Sequence, residues 1–128
     1  MDADPITGSI IAGAIRVHSK LGPGMLESAY EVCLAYECRK RGLKTVSQLP
    51  VAIHYDGVEL DIGSRIDLLI ADAVVVELKT VTTLTPLHEA QLLSYLRLGG
   101  YKVGLLINFN VLRLTDGLRR VVNNWNAD

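Results

Sequence analysis

The run VVVELK at residues 74–79 constrains the fold of this chain more than any other segment. Three consecutive valines favour a β-strand, and an apolar strand of this kind is typical of a central position in a sheet. Because side chains alternate along a strand, Glu77 and Lys79 share one face while Val76 and Leu78 lie on the other. Charged side chains on a buried strand are costly unless they are paired or bind a ligand. The run therefore predicts a central strand that carries a functional site.

Asp67 is predicted to lie opposite Glu77 on the preceding strand. If a turn at residues 71–73 joins the two strands, counting back along the hairpin pairs Asp67 with Glu77 and Arg65 with Lys79. Directly opposed like charges destabilise a sheet, so two facing carboxylates favour a cation between them. The alternative is a surface hairpin whose charges are simply solvated.

The oxygen ligands of Asp67 and Glu77 suit Mg²⁺ or Mn²⁺, which proteins typically hold with one or two carboxylates, water and substrate phosphate. Lys79, on the same face as Glu77, can orient or help deprotonate a metal-bound water, or steady a phosphate. This combination indicates phosphodiester hydrolysis.

The rest of the chain is predicted to alternate between helices and short strands. Asp4-Pro5 is typical of a helix N-cap, Gly42 of a C-cap, and Asp56-Gly57 of a hairpin turn. Pro50 interrupts one extended run, and Gly63 indicates a bulge or bend. Helices are predicted over residues 4–20, 25–41 and 85–98, and strands over 43–47, 51–55, 58–62, 64–70, 73–80 and 102–108. A short strand, a turn at Asp116-Gly117 and a tail follow over residues 112–125. This order predicts an α/β or α+β fold with a mixed central sheet flanked by helices.

Two helices carry polar residues at helical spacing. Glu27 and Tyr30 lie three apart and share a face of the second helix, although Glu27 could simply be a carboxylate favoured at a helix N-terminus. His88, Gln91 and Tyr95 form a polar stripe on the leucine-rich third helix. Such a stripe faces either a functional cavity or a satisfied hydrogen-bond network on the sheet.

Composition and charge exclude several classes of protein. The chain has 128 residues, of which 49% are hydrophobic and 21% charged, which predicts a single globular domain over residues 1–128. The net charge of −1 creates no overall field toward nucleic acid, so polyanion binding needs a local patch or a bound cation. Cys33 and Cys38 match no zinc or redox spacing. No signal peptide or membrane-spanning run is expected, which predicts a cytoplasmic protein.

Taken together, these residues resemble the PD-(D/E)XK nuclease superfamily, and within it the small GxxExxY proteins. The matching motifs are Gly24, Glu27 and Tyr30, Arg65-Ile66-Asp67, Glu77-Leu78-Lys79, PLHEAQLLSYL at residues 86–96 and GLLINF at residues 104–109. The Gln91-x-x-x-Tyr95 spacing also resembles the RecB-like branch of nucleases. Ile66 stands where the superfamily has a proline before the aspartate.

This resemblance implies a restriction-endonuclease-like αβββαβ core and a metal-dependent nuclease site. Asp67, Glu77 and the Leu78 carbonyl would bind Mg²⁺ or Mn²⁺, and Glu27 would hold the metal's water shell or a second metal. Lys79 would position the attacking water, and Gln91 would orient that water, the lysine or a phosphate. Tyr95 and His88 would support them. The expected substrate is nucleic acid, DNA in preference to RNA.

Two alternatives remain open from the sequence. The chain could be a catalytically silent binding module that acts with a partner protein or nucleic acid, which its small size and near-neutral charge favour. It could also work as a homodimer or with a larger partner that supplies specificity. The basic clusters at residues 39–44 and 119–120 are interpreted as ordinary solvated faces.

Overall fold

Five strands form one mixed sheet in the computed structural model, which describes residues 3–124. The helices are α1 (Ala3–Leu21), α2 (Glu27–Lys40) and α3 (Pro86–Gly99). The strands are β1 (Thr45–Tyr55), β2 (Val58–Ile70), β3 (Val74–Lys79), β4 (Val103–Asn108) and β5 (Leu118–Val122), with a 3₁₀ turn at Leu114–Gly117. The sheet order is β1-β2-β3-β4-β5, antiparallel except for the parallel β3–β4 pair that α3 connects.

The sheet is covered on both faces. Helices α1 and α2 pack on one face, where their apolar residues meet Leu68, Val76 and Leu105. Helix α3 packs on the other face, where Leu92 and Leu96 meet Val75 and Leu106. Every residue of β4 and the first five residues of β3 are buried, as the sequence predicted for central strands.

The helix ends differ in detail from the predicted ones. Asp4 lies inside the first turn of the described α1, so its predicted N-cap position is wrong. Helix α2 begins at Glu27 because residues 22–26 form a loop. It ends at Lys40, and Gly42 terminates it as predicted, because its φ of 80° allows the Leu43 N–H to donate to the Cys38 carbonyl at 3.0 Å. This bond satisfies a carbonyl that the helix end leaves unpaired.

The segment 43–70 forms two long strands rather than the predicted four short ones. Pro50 does not end β1, because β1 is an edge strand and a proline there removes no bond from a central ladder. Residues 62–64 of β2 lie opposite Val51 alone, which makes the predicted bulge at Gly63, where φ is 74°. Asp56 and Gly57, with φ of 54° and 76°, form the predicted hairpin turn.

The C-terminal segment also departs from prediction in one respect. Asp116 and Gly117 lie in the 3₁₀ turn, and the strand follows this turn instead of preceding it. Trp125 and the rest of the predicted tail lie outside the described residues. Among residues 3–124, no helix has the length and hydropathy that crossing a membrane requires.

Candidate metal-binding active site

Asp67 and Glu77 meet where β2 and β3 separate. The backbone ladder of these strands ends at the Leu68–Val76 pair. Beyond it, the Leu78 N–H donates to Asp67 Oδ2 at 2.8 Å, and the Asp67 N–H donates to Glu77 Oε1 at 3.1 Å. The two carboxylates thus replace ladder bonds with bonds of their own, and they lie together as the register predicted.

The predicted pairing of Arg65 with Lys79 is wrong. The β2–β3 ladder ends at the Leu68–Val76 pair and does not reach Arg65, which pairs with Pro50 on the β1 side and whose guanidinium donates to the Ser64 carbonyl at 3.1 Å. The cause is a break in the alternation of β2, since Ile66 and Leu69 pack in the same core cluster although they are three residues apart. Regular alternation would place residues at this separation on opposite faces.

The neighbouring strand β1 breaks its alternation at the same level. Val46 and Leu49, which are also three residues apart, both pack against the α3-side cluster. They pair with Leu69 and Ile66 respectively, so the two strands change phase together between these pairs. Asp67 lies inside this double irregularity, which directs its side chain toward β3.

Glu77 is destabilised in its ionised form. Its side chain is buried, with 5% of the residue exposed. Burial, and then the nearby charge of Asp67, raise its pKa from 4.5 to about 8, although the Asp67 N–H bond and the Lys79 charge act in the opposite direction. A carboxylate in this position is favoured by a cation beside it.

Glu27 is brought to the same site by the start of α2. Burial and then the charge of Asp67 raise its pKa, while the charge of Lys79 and hydrogen bonds with Thr80 lower it. Glu27 is therefore within electrostatic reach of both Asp67 and Lys79. The helix dipole also stabilises a carboxylate at this N-terminal position. The interpretations of Glu27 as a site residue and as a carboxylate favoured by the helix N-terminus are therefore compatible.

Tyr30 holds the loop that leads to Glu27. Its buried hydroxyl donates to the Gly22 carbonyl at 2.5 Å and accepts from the Met25 N–H at 3.0 Å. Its ring stacks on Phe109, with centroids 4.4 Å apart. Gly24, with φ of 95°, makes the turn of this loop. The GxxExxY spacing thus combines a turn, a carboxylate at the site and an anchor for the loop.

We predict that Tyr30→Phe lowers the free energy of unfolding by about 1–2 kcal/mol, because two buried hydrogen bonds are lost. Chemical denaturation of both proteins measures the difference. Tyr36→Phe, on the exposed side of the same helix, is the matched control. Equal behaviour of the two variants would contradict the anchoring role.

The polar residues of α3 divide between the site and the helix end. Gln91 Oε1 accepts from Lys79 Nζ at 3.4 Å, and Gln91 Nε2 donates to the Tyr95 hydroxyl at 3.3 Å. His88 instead forms a capping box, in which His88 Nδ1 accepts from the Thr85 N–H and Thr85 Oγ1 accepts from the His88 N–H. Gln91 and Tyr95 therefore connect with Lys79, whereas the described hydrogen bonds of His88 serve the helix N-terminus.

Three residues that the sequence did not single out support the site. Gln48 Nε2 donates to Glu31 Oε1 at 2.7 Å and to Asp67 Oδ1 at 3.4 Å. Asn108, with 1% exposed, binds both the N–H and the carbonyl of Val81 and so holds the segment after Lys79. A polar residue at the end of the apolar run 103–108 was the available signal for Asn108, and the i, i+4 spacing from Glu27 on one helix was the available signal for Glu31. Gln48 lies in a segment without a distinctive pattern.

The donor set fits a hard divalent cation held by few protein ligands. Within residues 3–124, no three side chains of His, Cys, Asp or Glu form a cluster that could hold a metal. The pair Asp67 and Glu77 provides carboxylate oxygens, which suit Mg²⁺ because this ion keeps several waters and needs only one or two carboxylates.

The mixed five-stranded sheet with helices on both faces is an α+β fold of the restriction-endonuclease-like type. A model of the PD-(D/E)XK nuclease superfamily matches residues 4–121, and the chain belongs to that superfamily. The superfamily resemblance is thereby confirmed. Membership of the GxxExxY family and the RecB-like branch stays a prediction.

The fold is similar to a solved structure described as "Crystal structure of SSO0001". The two share 18% sequence identity with a TM-score of 0.58, and the match covers 97% of this chain and 61% of that one. The chain thus spans less than two thirds of the length of that protein. A comparison with curated proteins gives no match.

Proposed function

We propose that this chain is a metal-dependent nuclease that hydrolyses phosphodiester bonds. The observation that carries the proposal is the carboxylate pair of half-buried Asp67 and buried Glu77, with Lys79 on the same strand as Glu77, in a member of a nuclease superfamily. Two carboxylates that repel each other without a cation are suited to bind one. DNA is the proposed substrate, in preference to RNA, on the strength of the resemblance to RecB-like nucleases.

Asp67, Glu77 and the Leu78 carbonyl would hold Mg²⁺ or Mn²⁺. The N–H and C=O of one strand residue point to the same edge, so the bond from the Leu78 N–H to Asp67 places the Leu78 carbonyl on the Asp67 side. When bound, such an ion polarises the scissile phosphate and lowers the pKa of a coordinated water.

The surrounding side chains would position the attacking water and the phosphate. The positive charge of Lys79 acts on both Glu77 and Glu27, lowering the pKa of each, and Lys79 Nζ donates to Gln91 Oε1 at 3.4 Å. Glu27 would accept a hydrogen bond from metal-coordinated water or help to hold a second ion. Tyr95 supports Gln91, and His88 supports α3 by capping its N-terminus.

Most of the clustered basic residues are engaged within the protein. Arg39 donates to the Thr45 carbonyl, Arg41 pairs with Glu37, Lys44 with Asp72 and Arg120 with Asp4. Affinity for a nucleic acid rests largely on phosphate contacts. Binding by this chain would therefore depend strongly on the divalent cation. The engagement of these basic residues within the protein also favours the second candidate function, a catalytically silent binding module that acts with a partner.

We propose that residues 1–128 act as one nuclease-like domain in the cytoplasm, where Cys33 and Cys38, both free, would stay reduced. We also propose that specificity comes from a second copy of the chain or a larger partner, since most of the clustered basic side chains among the described residues are engaged within the protein.

Cleavage of labelled DNA and RNA with Mg²⁺, Mn²⁺ or a chelator tests the proposed function. We predict cleavage by the wild type only with metal, and a rate at least about 100-fold lower for Lys79→Ala, because the positioned cation is lost. Lys102→Ala, which removes an exposed lysine at the other end of the sheet, should cleave like the wild type. Equal rates for Lys79→Ala and wild type would contradict the mechanism. Lack of cleavage together with lack of metal binding would favour the silent module.

A further inference from the structure

Gln48 occupies a backbone conformation that is unfavourable for its residue type. It is a non-glycine residue with φ of 55°, in the left-handed region. Such a conformation costs on the order of 1 kcal/mol and persists only where the surrounding structure requires it. The flanking pairs Ser47–Leu68 and Leu49–Ile66 place Gln48 directly beside Asp67, at the point where both strands change phase.

The side chain of Gln48 connects two carboxylates. Its Nε2 donates to Glu31 Oε1 at 2.7 Å and to Asp67 Oδ1 at 3.4 Å. Both neighbours accept hydrogen bonds, so only one orientation of the amide, with its NH₂ group between them, satisfies the contacts. The shorter bond fixes the amide to Glu31, and the amide then fixes Asp67.

Asp67 is consequently held through both oxygens. Oδ1 receives the Gln48 amide and Oδ2 receives the Leu78 N–H at 2.8 Å. The neutral amide also lies between like charges. Burial is the largest cause that raises the pKa of Glu31, and the charges of Asp67 and Glu27 raise it further, whereas the hydrogen bond from Gln48 lowers it. Without the amide, Asp67 and Glu31 would repel each other across the gap.

We propose that Gln48 is the positioning residue for Asp67, with Glu31 as its anchor on α2. This inference rests on the proposed function in one respect, namely that Asp67 is a metal ligand. Residues that orient metal ligands typically change metal affinity or activity by 10- to 100-fold when they are removed. The strained backbone at Gln48 is then explained by the need to place its amide beside Asp67.

Two substitutions separate the effect of the Gln48 side-chain amide from the effect of its backbone conformation. Gln48→Gly removes the amide but relieves the strain, since glycine adopts positive φ freely. Gln48→Ala removes the amide and keeps the strain. If the amide positions Asp67, both variants should bind Mn²⁺ about 10- to 100-fold more weakly in calorimetry. Ser47→Gly, at the adjacent exposed position, should match the wild type.

Hydrogen exchange of the metal-free protein gives a second readout that needs neither metal nor activity. The Leu78 N–H donates to Asp67, so in Gln48→Gly it should exchange roughly tenfold or more faster relative to the Leu106 N–H of central β4. The double variant Gln48→Gly with Glu31→Ala should be no worse than Gln48→Gly, because the two residues act in series.

The outcomes distinguish three cases: the Gln48 amide positions Asp67, the backbone conformation at Gln48 positions it, or Gln48 has no role. Wild-type Mn²⁺ affinity and Leu78 exchange in Gln48→Gly would overturn the proposal. Loss in Gln48→Ala with retention in Gln48→Gly would also overturn it, because the backbone conformation alone would then position Asp67. The wild-type protein could neither cleave nor bind metal while Gln48→Gly still shows faster Leu78 exchange. That result would support the positioning of Asp67 and would remove the proposed function.

Discussion

Replacing Asp67 with asparagine is expected to lower metal-dependent cleavage by about a thousand-fold or more and to leave the fold intact. An amide oxygen carries no net charge, so the site loses half of the carboxylate pair that favours a cation. Metal ions contribute several kcal/mol to such reactions, and each 1.36 kcal/mol corresponds to about tenfold in rate. Asparagine matches aspartate in shape, and its oxygen can still accept from the Leu78 N–H.

The matched control for this variant is Asp61→Asn. Asp61 lies on the same strand, is exposed, and accepts from the Gly63 N–H at 2.9 Å, a bond that asparagine can keep. Cleavage rates with Mg²⁺ and thermal unfolding are measured for both variants. Wild-type cleavage by Asp67→Asn would contradict the assignment of Asp67, whereas equal loss in both variants would show that the effect is not local.

Glu77→Gln is expected to stabilise the metal-free protein at alkaline pH. The pKa of Glu77 is raised from 4.5 to about 8, by burial and then by Asp67. A raised pKa contributes stability that is complete below the unfolded-state value and is lost as pH rises through the folded-state value. The wild type should therefore lose a few kcal/mol between about pH 5 and pH 9, whereas Glu77→Gln should lose much less.

The two proteins should unfold at similar temperatures near pH 4.5, and the variant should unfold at a temperature about 10 °C higher near pH 9. Glutamine can still accept the Asp67 N–H bond, so the gain reflects removal of the buried charge. Calorimetric unfolding with chelator at a series of pH values measures the difference. Glu59→Gln, at an exposed carboxylate of β2, should follow the wild-type curve. Parallel curves for wild type and Glu77→Gln would contradict the raised pKa.

The central strand and its register could be predicted because they depend on local patterns. The valines of residues 74–76 identify a buried strand, and the short turn at 71–73 fixes the pairing of Ile70 with Val74 that the structure confirms. The position of Asp67 beside Glu77 follows from that pairing. Lys102–Asn108 was likewise predicted from its continuous apolar character, and the strand is Val103–Asn108.

The irregular features could not be predicted because they depend on contacts between distant segments. The phase change at Gln48 and Asp67 needs two strands to deviate together, and neither sequence alone indicates it. The roles of Tyr30 and Asn108 depend on loops that their side chains reach only in the folded chain. His88 has the helical spacing of a site residue, but the N-terminal turn of α3 uses its ring first.

Crystals of the wild-type protein grown with Mn²⁺ would test the central claim most directly. The anomalous signal of Mn²⁺ locates the ion independently of any assumption about its ligands. We predict one peak in contact with the Asp67 and Glu77 carboxylates and the Leu78 carbonyl, at about 2.1 Å as for Mg²⁺, that is lost in Asp67→Asn. The absence of an anomalous peak between Asp67 and Glu77 in wild-type crystals saturated with Mn²⁺ would contradict the claim.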